Sequence, residues 1–335
     1  MINRATFVFG ALLLVLLPLS LLAGRVWIDP FASSGGPANA TLILIELRMP
    51  RAILAVVVGA GLGAAGAAMQ GYLRNPLADP GLFGIAPMAA LGAVASFWFA
   101  AVLPGAIAAW ALPVFALIGA GLAMALLALI AGRNASDGAG GAGGGIALFT
   151  LAGLMIASLA GALTALAITT APNAFAMSEI VMWLNGALTD RSWREVWIAA
   201  PLVAIGIIAL LFAGRSLNAL TLGEDAARSL GVEPTRLLWL LVVGVGLCVG
   251  AGVAVAGIIG FVGLIVPHLV RPFTDRLPSS LIVPSALAGA CLVLFADSAV
   301  RILPFITELR LGIALSLIGA PFFLWLLLRM RAGRL

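Results

Sequence analysis

An uncharged run between two polar borders constrains this chain more than any other stretch. The run lies between Arg51 and Arg74, and about twenty residues without charge is the length that crosses a bilayer as a helix. Its middle, GAGLGAAGAAMQG, is rich in glycine and alanine. Small residues let the backbones of neighbouring helices approach closely. The stretch therefore predicts a membrane-spanning helix that is packed inside protein.

Composition extends this conclusion to the whole chain. Of its 335 residues, 63% are hydrophobic and 9% are charged, whereas a soluble domain carries about 25% charged residues. We therefore expect an all-α polytopic membrane protein that forms a single transmembrane domain over residues 1–335. Cys248 and Cys291 both lie in apolar runs, and we interpret them as core residues instead of a disulfide or a metal pair. The basic pI does not indicate nucleic acid as a partner, because the arginines are scattered over the ends of the apolar runs.

Apolar runs separated by polar or Pro/Gly-rich breaks predict ten transmembrane helices. The runs cover residues 5–23, 52–72, 82–103, 106–131, 146–170, 195–213, 237–270, 281–300 and 311–328. The run 237–270 is too long for one span, so we divide it near Gly257, Gly260 and Gly263 into two helices. A cleavable signal peptide is the alternative for the first run, although the apolar core of such peptides has only about 7–15 residues.

An even number of spans places both termini on one side of the membrane. A cytoplasmic placement leaves eleven arginines inside and seven outside, which is the direction of bias expected for cytoplasmic loops. The outer set comprises Arg25, Arg48, Arg51, Arg191, Arg194, Arg301 and Arg310. A negatively charged partner outside would account for these arginines. Lipid anchoring and local ion pairs are the alternative.

Two short segments echo each other along the chain. Residues 58–66 read VGAGLGAAG and residues 249–257 read VGAGVAVAG. In the predicted topology they run in opposite directions, as the inverted repeats of transporters do. Chance similarity among common residues is the alternative. The glycine-rich stretch 132–145 is predicted to be a connector, because it lacks the GK[ST] ending of a phosphate-binding loop.

Side chains suited to catalysis or metal binding are scarce. The chain has no lysine and a single histidine, His268, which we interpret as a structural hydrogen-bonding residue. Asp297 is a carboxylate within a predicted span, and such residues are functional candidates. It also precedes Arg301 by four positions, so an ion pair on one helix is an equal interpretation. We expect the chain to be no enzyme and to hold no metal or cofactor of its own.

Five segments carry a family resemblance. They are LRMPR (47–51), GAAMQGYLRNPLADPGLFGI (66–85), ALTLGEDAARSLGV (219–232), GFVGLIVPHLVR (260–271) and GAPFFLWLLL (319–328). Together they resemble the permease subunit of vitamin B12, haem and iron-siderophore ABC importers, the FecCD/BtuC type. The likeness covers nearly the whole chain in order. It implies a type II importer fold of ten helices with inverted-repeat-like halves.

The resemblance also implies partners and a location. The expected partners are a second copy of the chain in a homodimer, two ATP-binding subunits, a periplasmic or lipoprotein substrate-binding protein, and membrane lipid. ATP and Mg²⁺ would be bound by the partner ATPases. The expected location is the bacterial inner membrane, with both termini in the cytoplasm.

Three sites follow from the resemblance, each with a helix cap or a packed turn as the alternative. Arg48, Arg51 and Arg301 match positions that dock the binding protein. Two parts of the cytoplasmic gate are matched by Asn75 and Leu77 and, in a looser alignment, by Ile146 and Ala147. Within the cytoplasmic segment 215–236, the residues matched to the ATPase-coupling helices are Leu220, Thr221, Leu222, Gly223, Glu224, Asp225, Ala226, Ala227, Arg228, Ser229, Leu230 and Gly231.

The residues of the coupling segment independently predict a short surface helix at 221–231. Glu224 and Asp225 lie in its first turn and Gly231 closes it, which suits the helix dipole. One departure from the family pattern is the sequence Glu308-Leu309-Arg310, where the family often has Glu-Leu-Pro before the last helix.

The expected function is therefore ATP-driven import. An iron-siderophore is the first choice of cargo, and haem or a corrinoid such as vitamin B12 is the alternative. An ion-coupled secondary transporter would need several intramembrane carboxylates near the midplane, and only Asp297 qualifies. A membrane enzyme would need clustered His, Asp or Glu, which the sequence does not offer.

Overall fold

The computed structural model describes residues 4–24, 40–99, 105–136, 144–304 and 307–331, and these parts contain helices and turns but no strand. The helices in chain order are α1 (Arg4–Leu22), α2 (Ala40–Leu42), α3 (Met49–Tyr72), α4 (Ile85–Phe99), α5 (Gly105–Ser136), α6 (Gly144–Thr169), α7 (Ala174–Leu184), α8 (Trp193–Leu220), α9 (Glu224–Ser229), α10 (Pro234–Ala256), α11 (Val262–Val270), α12 (Pro278–Ile302) and α13 (Leu311–Arg331). A π-helical segment, Ile43–Arg48, joins α2 to α3, and 3-10 turns cover Pro80–Phe83 and Arg271–Phe273.

Within the described residues, eight helices are long and apolar enough to cross a membrane. Three shorter apolar helices cover Ile85–Phe99, Ala174–Leu184 and Val262–Phe273. The predicted division of 237–270 is present, with a break after Ala256 at Gly257. The second piece, α11, has 9 residues, so it rises only about 14 Å. A full span needs about 30 Å, and the predicted total of ten spans stays a prediction.

The helix that contains the LRMPR segment begins earlier than predicted. It starts at Ala40 and passes through the π-helical segment into α3, instead of starting after Arg51. In π-helical register the carbonyl of Ile45 would accept from residue 50, which is a proline without an N–H. The indole Nε1 of Trp193 donates to that carbonyl at 3.0 Å instead. A proline that looks like a helix start in the sequence is therefore accommodated inside the helix.

The helix before the coupling segment is longer than predicted. α8 continues to Leu220, so Arg215 and its neighbours belong to this helix and not to a polar loop. A capping box of Ser192 and Glu195 begins α8. The short surface helix is present as α9 (Glu224–Ser229), and the glycines on either side of it, Gly223 and Gly231, have positive φ values of 104° and 84°.

α3 and α12 form the most closely packed helix pair. A Cβ at Gly59 would collide with the carbonyl of Gly289, and one at Gly63 would collide with the carbonyl of Ser285. Backbone therefore touches backbone, which only small residues permit. The glycine-rich run of α3 forms the contact surface of this pair, as predicted for a helix packed inside protein.

The two echoing segments lie in α3 and α10, which pack against each other. A Cβ at Gly252 would lie 3.5 Å from Val58, and one at Gly61 would lie 3.3 Å from the carbonyl of Cys248. Rising numbers in α3 thus meet falling numbers in α10, so the two helices are antiparallel. A common origin of the two segments stays a prediction.

The remaining helices surround this core in two groups. α8, α10, α11 and α12 pack on α3, whereas α6 packs mainly on α4, α5 and the 3-10 turn Pro80–Phe83. Cys248 and Cys291 are buried free thiols, as predicted. The predicted connector 132–145 is helical up to Ser136 and again from Gly144. Arg25, Arg334 and residues 137–143 lie outside the described parts.

Candidate functional site

Asp297 is the centre of a charged network at the C-terminal end of α12. Its side chain is fully buried, and Arg51 donates to Oδ1 from Nε at 2.9 Å and from Nη2 at 2.8 Å. Arg301 lies 3.2 Å from Oδ2 on the same helix. Arg51 also forms an ion pair with Glu308, before α13. The ion pair expected between Asp297 and Arg301 is confirmed, and a second arginine from α3 joins it.

Arg48 and Arg301 both donate to the end of α1. Arg48 Nη1 donates to the carbonyls of Leu21 and Leu22 at 2.8 and 3.1 Å. Arg301 donates to the carbonyls of Ala23 and Ser20, both at 3.1 Å, and to Ser20 Oγ at 2.7 Å. The last carbonyls of a helix have no partner within the helix. The two guanidiniums satisfy them and bring positive charge to the negative end of the helix dipole.

The three predicted docking arginines are thus brought together, but they are largely buried. Arg48 is 8% exposed and Arg301 is 7% exposed. A cavity of about 290 Å³ gives access to all three. It is lined by Ala23, Gly24, Ile43, Leu47, Arg48, Arg51, Arg301 and Glu308. A carboxylate that enters this cavity would meet three guanidiniums and one competing carboxylate.

The first predicted gate segment follows the end of α3. Asn75 Oδ1 accepts from the backbone N–H of Leu77 at 2.9 Å, and the N–H of Asn75 donates to the carbonyl of Gln70 at 3.1 Å. Asn75 is exposed and Leu77 is half-buried. Next along the chain, Asp79 Oδ1 caps the 3-10 turn by accepting from Gly81 N at 2.6 Å. Burial raises the pKa of the Asp79 carboxyl, and the Gly81 hydrogen bond opposes that rise.

The second predicted gate segment lies in the first turn of α6. Ile146 is half-buried and Ala147 is exposed. The ring centroid of Phe149, two residues after Ala147, lies 5.5 Å from that of Tyr72. Tyr72 ends α3 just before the first gate segment. The two segments that the sequence separates by some seventy residues therefore adjoin in space.

A buried amide near the C-terminal end of α3 holds this helix to α11. Gln70 is 2% exposed, and its Nε2 donates to the carbonyl of Leu264 at 3.2 Å. Its Oε1 accepts from Arg271 Nη2 at 2.9 Å. Gln70 thus ties both ends of the short helix α11 to α3. Sequence analysis did not select this residue, although an amide in an otherwise apolar, buried helix is a visible feature.

The coupling segment projects from the ends of α8 and α10. Asn218 exchanges two hydrogen bonds with Ser279 in the first turn of α12, at 2.7 and 2.9 Å. Leu222 and Leu230 are 67% and 65% exposed, and Asp225 and Arg228 are also exposed. Apolar and charged side chains at one exposed tip suit a protein contact better than a solvated turn.

The hydrogen-bonding role predicted for His268 stays a prediction. Its ring lies edge-on to Phe322 with centroids 6.2 Å apart, and Nδ1 has no hydrogen-bond partner among the described residues. No cluster of three or more His, Cys, Asp or Glu that could hold a metal occurs in the described parts.

Comparison with known proteins decides the family. Residues 12–329 match the FecCD transport family. The chain belongs to this family. The hemin transport system permease protein HmuU of Yersinia pestis is 38% identical to it over 294 residues, which are 87% of this chain and 85% of that protein.

Further similarities agree with this family assignment. The vitamin B12 import system permease protein BtuC of Klebsiella pneumoniae subsp. pneumoniae is 35% identical over 330 residues, which are 98% of this chain and 95% of that protein. A solved structure, described as an inward-facing conformation of a putative metal-chelate type ABC transporter, superposes with a TM-score of 0.84 at 28% identity. The superposition covers 97% of this chain and 98% of that one. The FecCD-family chain described here is thus an ABC importer permease, a transport subunit and not an enzyme.

Proposed function

We propose that this permease works as a homodimer between a substrate-binding protein on the outer side and two ATP-binding subunits on the inner side. The observation that carries the proposal is the placement of α12. Near its C-terminal end, Asp297 is the centre of the arginine network. In its first turn, Ser279 donates to Asn218, two residues before the coupling segment. One helix, packed backbone to backbone on α3, thus links the two candidate docking sites.

The proposed orientation places both termini in the cytoplasm and the chain in the bacterial inner membrane. The coupling segment then faces the cytoplasm and the arginine network faces outward. The substrate-binding protein is periplasmic or a lipoprotein. ATP and Mg²⁺ are bound by the ATP-binding subunits, and this subunit holds no cofactor of its own.

We assign Arg48, Arg51 and Arg301 to docking of the binding protein. Because the three arginines are largely buried, an acidic side chain of the binding protein must reach into the cavity that they line. Charge-assisted hydrogen bonds in such a partly buried site are stronger than those at an open surface. The network also keeps the three guanidiniums in fixed positions before a partner arrives.

Residues Leu220–Gly231 are proposed to contact the ATP-binding subunits. A Glu224→Arg substitution reverses a charge in the first turn of α9, where negative charge favours the helix dipole. We expect it to reduce the amount of ATP-binding subunit that co-purifies with the permease. Glu179→Arg, an equal charge reversal at an exposed position of α7 outside the coupling segment, is the control. Full co-purification with Glu224→Arg would contradict the assignment.

Asn75, Leu77, Ile146 and Ala147 are proposed to form the cytoplasmic gate. Their support is the adjacency of the two segments, joined by the Tyr72–Phe149 contact. A homodimer would bring two copies of this gate together around one path. Movement of the coupling segment would then open and close it.

The proposed cargo is a bulky metal chelate. The sequence-based first choice is an iron-siderophore, and the 38%-identical hemin permease favours haem as the second candidate. The B12 permease supports a corrinoid in the same way. ATP hydrolysis by the reconstituted complex, measured with each chelate loaded on the cognate binding protein, distinguishes the three. The chelate that stimulates hydrolysis and accumulates in vesicles is the cargo, and stimulation by none of them would contradict the proposal.

A further inference from the structure

Three aromatic rings join the two gate segments within one subunit. Tyr72 ends α3, Phe83 closes the 3-10 turn, and Phe149 lies near the start of α6. The rings of Tyr72 and Phe149 meet edge to face with centroids 5.5 Å apart at 84°. Those of Phe83 and Phe149 lie 5.1 Å apart at 32°. We call these three residues the aromatic cluster.

The aromatic cluster is closely packed. Phe83 is 1% exposed and Phe149 is 2% exposed, so Phe149 cannot shift without displacing its neighbours. The turn beside Phe83 also lies directly against α6. A Cβ at Gly84, whose φ is +75°, would lie only 2.6 Å from Ile156. The start of α6 is therefore held to the end of α3 and to the 3-10 turn.

The coupling segment is joined to the same end of α3 through α8. α9 packs on α8, and Leu217, near the end of α8, would lie 3.8 Å from a Cβ at Gly71. Tyr72 therefore lies beside the end of α8, from which the coupling segment continues, and its ring contacts Phe149.

The rest of the fold offers α6 little other contact with the coupling segment. α9 packs on α8, and α8 packs on α3, α10 and α12. α6 packs on α4, α5 and the 3-10 turn. α4 and α5 also pack on α10, so the two groups meet away from the gate as well. The aromatic cluster is the contact that joins the end of α3 to α6 beside the proposed gate.

We propose that the aromatic cluster transmits movement of the coupling segment to the α6 part of the cytoplasmic gate, with Tyr72 as the positioning residue between the end of α8 and Phe149. This inference rests on the proposed function, because it assumes that the coupling segment and the gate have the roles given above. It adds a mechanical link through three side chains to which the proposed function assigns no role.

The test measures gate movement directly in the assembled complex. A spin label is attached at Ala147→Cys, an exposed position, while Cys248 and Cys291 are buried and remain unlabelled. The distance between the two labels of the homodimer is measured by pulsed electron resonance without nucleotide and with ATP and vanadate. Uptake of chelate per ATP hydrolysed is measured on the same samples.

Phe149→Leu keeps an apolar side chain and removes both ring contacts. We expect the nucleotide-dependent change in distance to shrink and uptake per ATP to fall about two- to tenfold, the range that corresponds to the loss of the Tyr72–Phe149 pair, which joins α6 to α3. Tyr72→Leu removes the first contact from the α3 side and is expected to give the same result. It also serves as the second variant where Phe149→Leu assembles poorly.

Phe99→Leu is the matched control. Phe99 forms a similar tilted pair with Phe115, with centroids 5.7 Å apart, at the other end of α4. We expect it to keep the parent distance change and the parent uptake per ATP.

Two results would count against the proposal, and they differ. If the parent complex responds to nucleotide and both Phe149→Leu and Tyr72→Leu respond equally, the aromatic cluster is not the link. If the parent complex itself shows no nucleotide-dependent change at residue 147, the proposed gate is wrong and the inference falls with it.

Discussion

At the scale of single residues, Asp297 organises the charged network at the C-terminal end of α12. It is a fully buried carboxylate that contacts two guanidiniums, one from α3 and one from its own helix. Removing one partner of a buried ion pair leaves the other charges uncompensated, and this costs about 3–5 kcal/mol. Glu308 contacts the same Arg51 but retains 23% exposure of its side chain, so its loss is partly compensated by solvent.

We therefore expect Asp297→Ala to destabilise the subunit far more than Glu308→Ala does. The expected loss of unfolding free energy is about 3–5 kcal/mol for Asp297→Ala and about 1 kcal/mol or less for Glu308→Ala. Thermal unfolding of the purified variants in detergent measures the difference. Equal shifts in Tm would show that the buried carboxylate does not organise the network.

At the scale of helices, the contact between α3 and α12 depends on the absence of side chains. Gly59, Gly63 and Gly289 let the two backbones touch over about one helical turn. In a membrane, helix association relies on such close packing, because lipid and protein interior are equally apolar. We expect the pair to move as one body, as the proposed link between two docking sites requires.

Gly63→Ala is expected to separate this pair. Its new Cβ would collide with the carbonyl of Ser285, and overpacking of this kind costs about 1–3 kcal/mol. Gly161→Ala on α6, where nothing lies within 4 Å of the added Cβ, is the control. It should be neutral or stabilising, because alanine has a higher helix propensity. Melting curves of both variants compare the two, and a Gly63→Ala variant as stable as the parent would show that the helices are not in contact there.

At the scale of the whole molecule, the exposed tip of α9 and the arginine-lined cavity lie at opposite ends of α12. The sequence has no lysine for a nucleotide-binding loop, and we propose that ATP-binding subunits supply the energy for transport. In this proposal, events at the α9 end are transmitted along the α3–α12 pair.

Vesicles that contain only the purified permease are accordingly expected not to accumulate chelate, whether ATP is present or absent. Adding the ATP-binding subunits, the loaded binding protein and ATP should start accumulation. Scintillation counting of a radioactive metal in the chelate measures both conditions. Accumulation by the permease alone would identify a secondary transporter and contradict the ABC mechanism.

The sequence by itself determined the class of the protein. Its uncharged runs are bilayer-length, so it must be helical and membrane-embedded. Its glycine-rich run predicted a helix packed inside protein, its break at Gly257 marked a divided helix, and its five segments identified the family, later shown by comparison. The short helix α9 was also predicted, because its acidic start and its glycine end are local features.

Only the tertiary structure decided what the polar residues do. Arg48 and Arg301 satisfy the carbonyls at the end of α1, Gln70 holds α11, and Trp193 replaces the N–H that Pro50 lacks. The carbonyl that Arg48 meets lies 27 positions away in the chain, and the partners of Arg301, Gln70 and Trp193 lie between 148 and 278 positions away. Local sequence patterns report secondary structure, but they carry no information on which distant carbonyl or carboxylate a side chain will meet. That choice is made by helix packing.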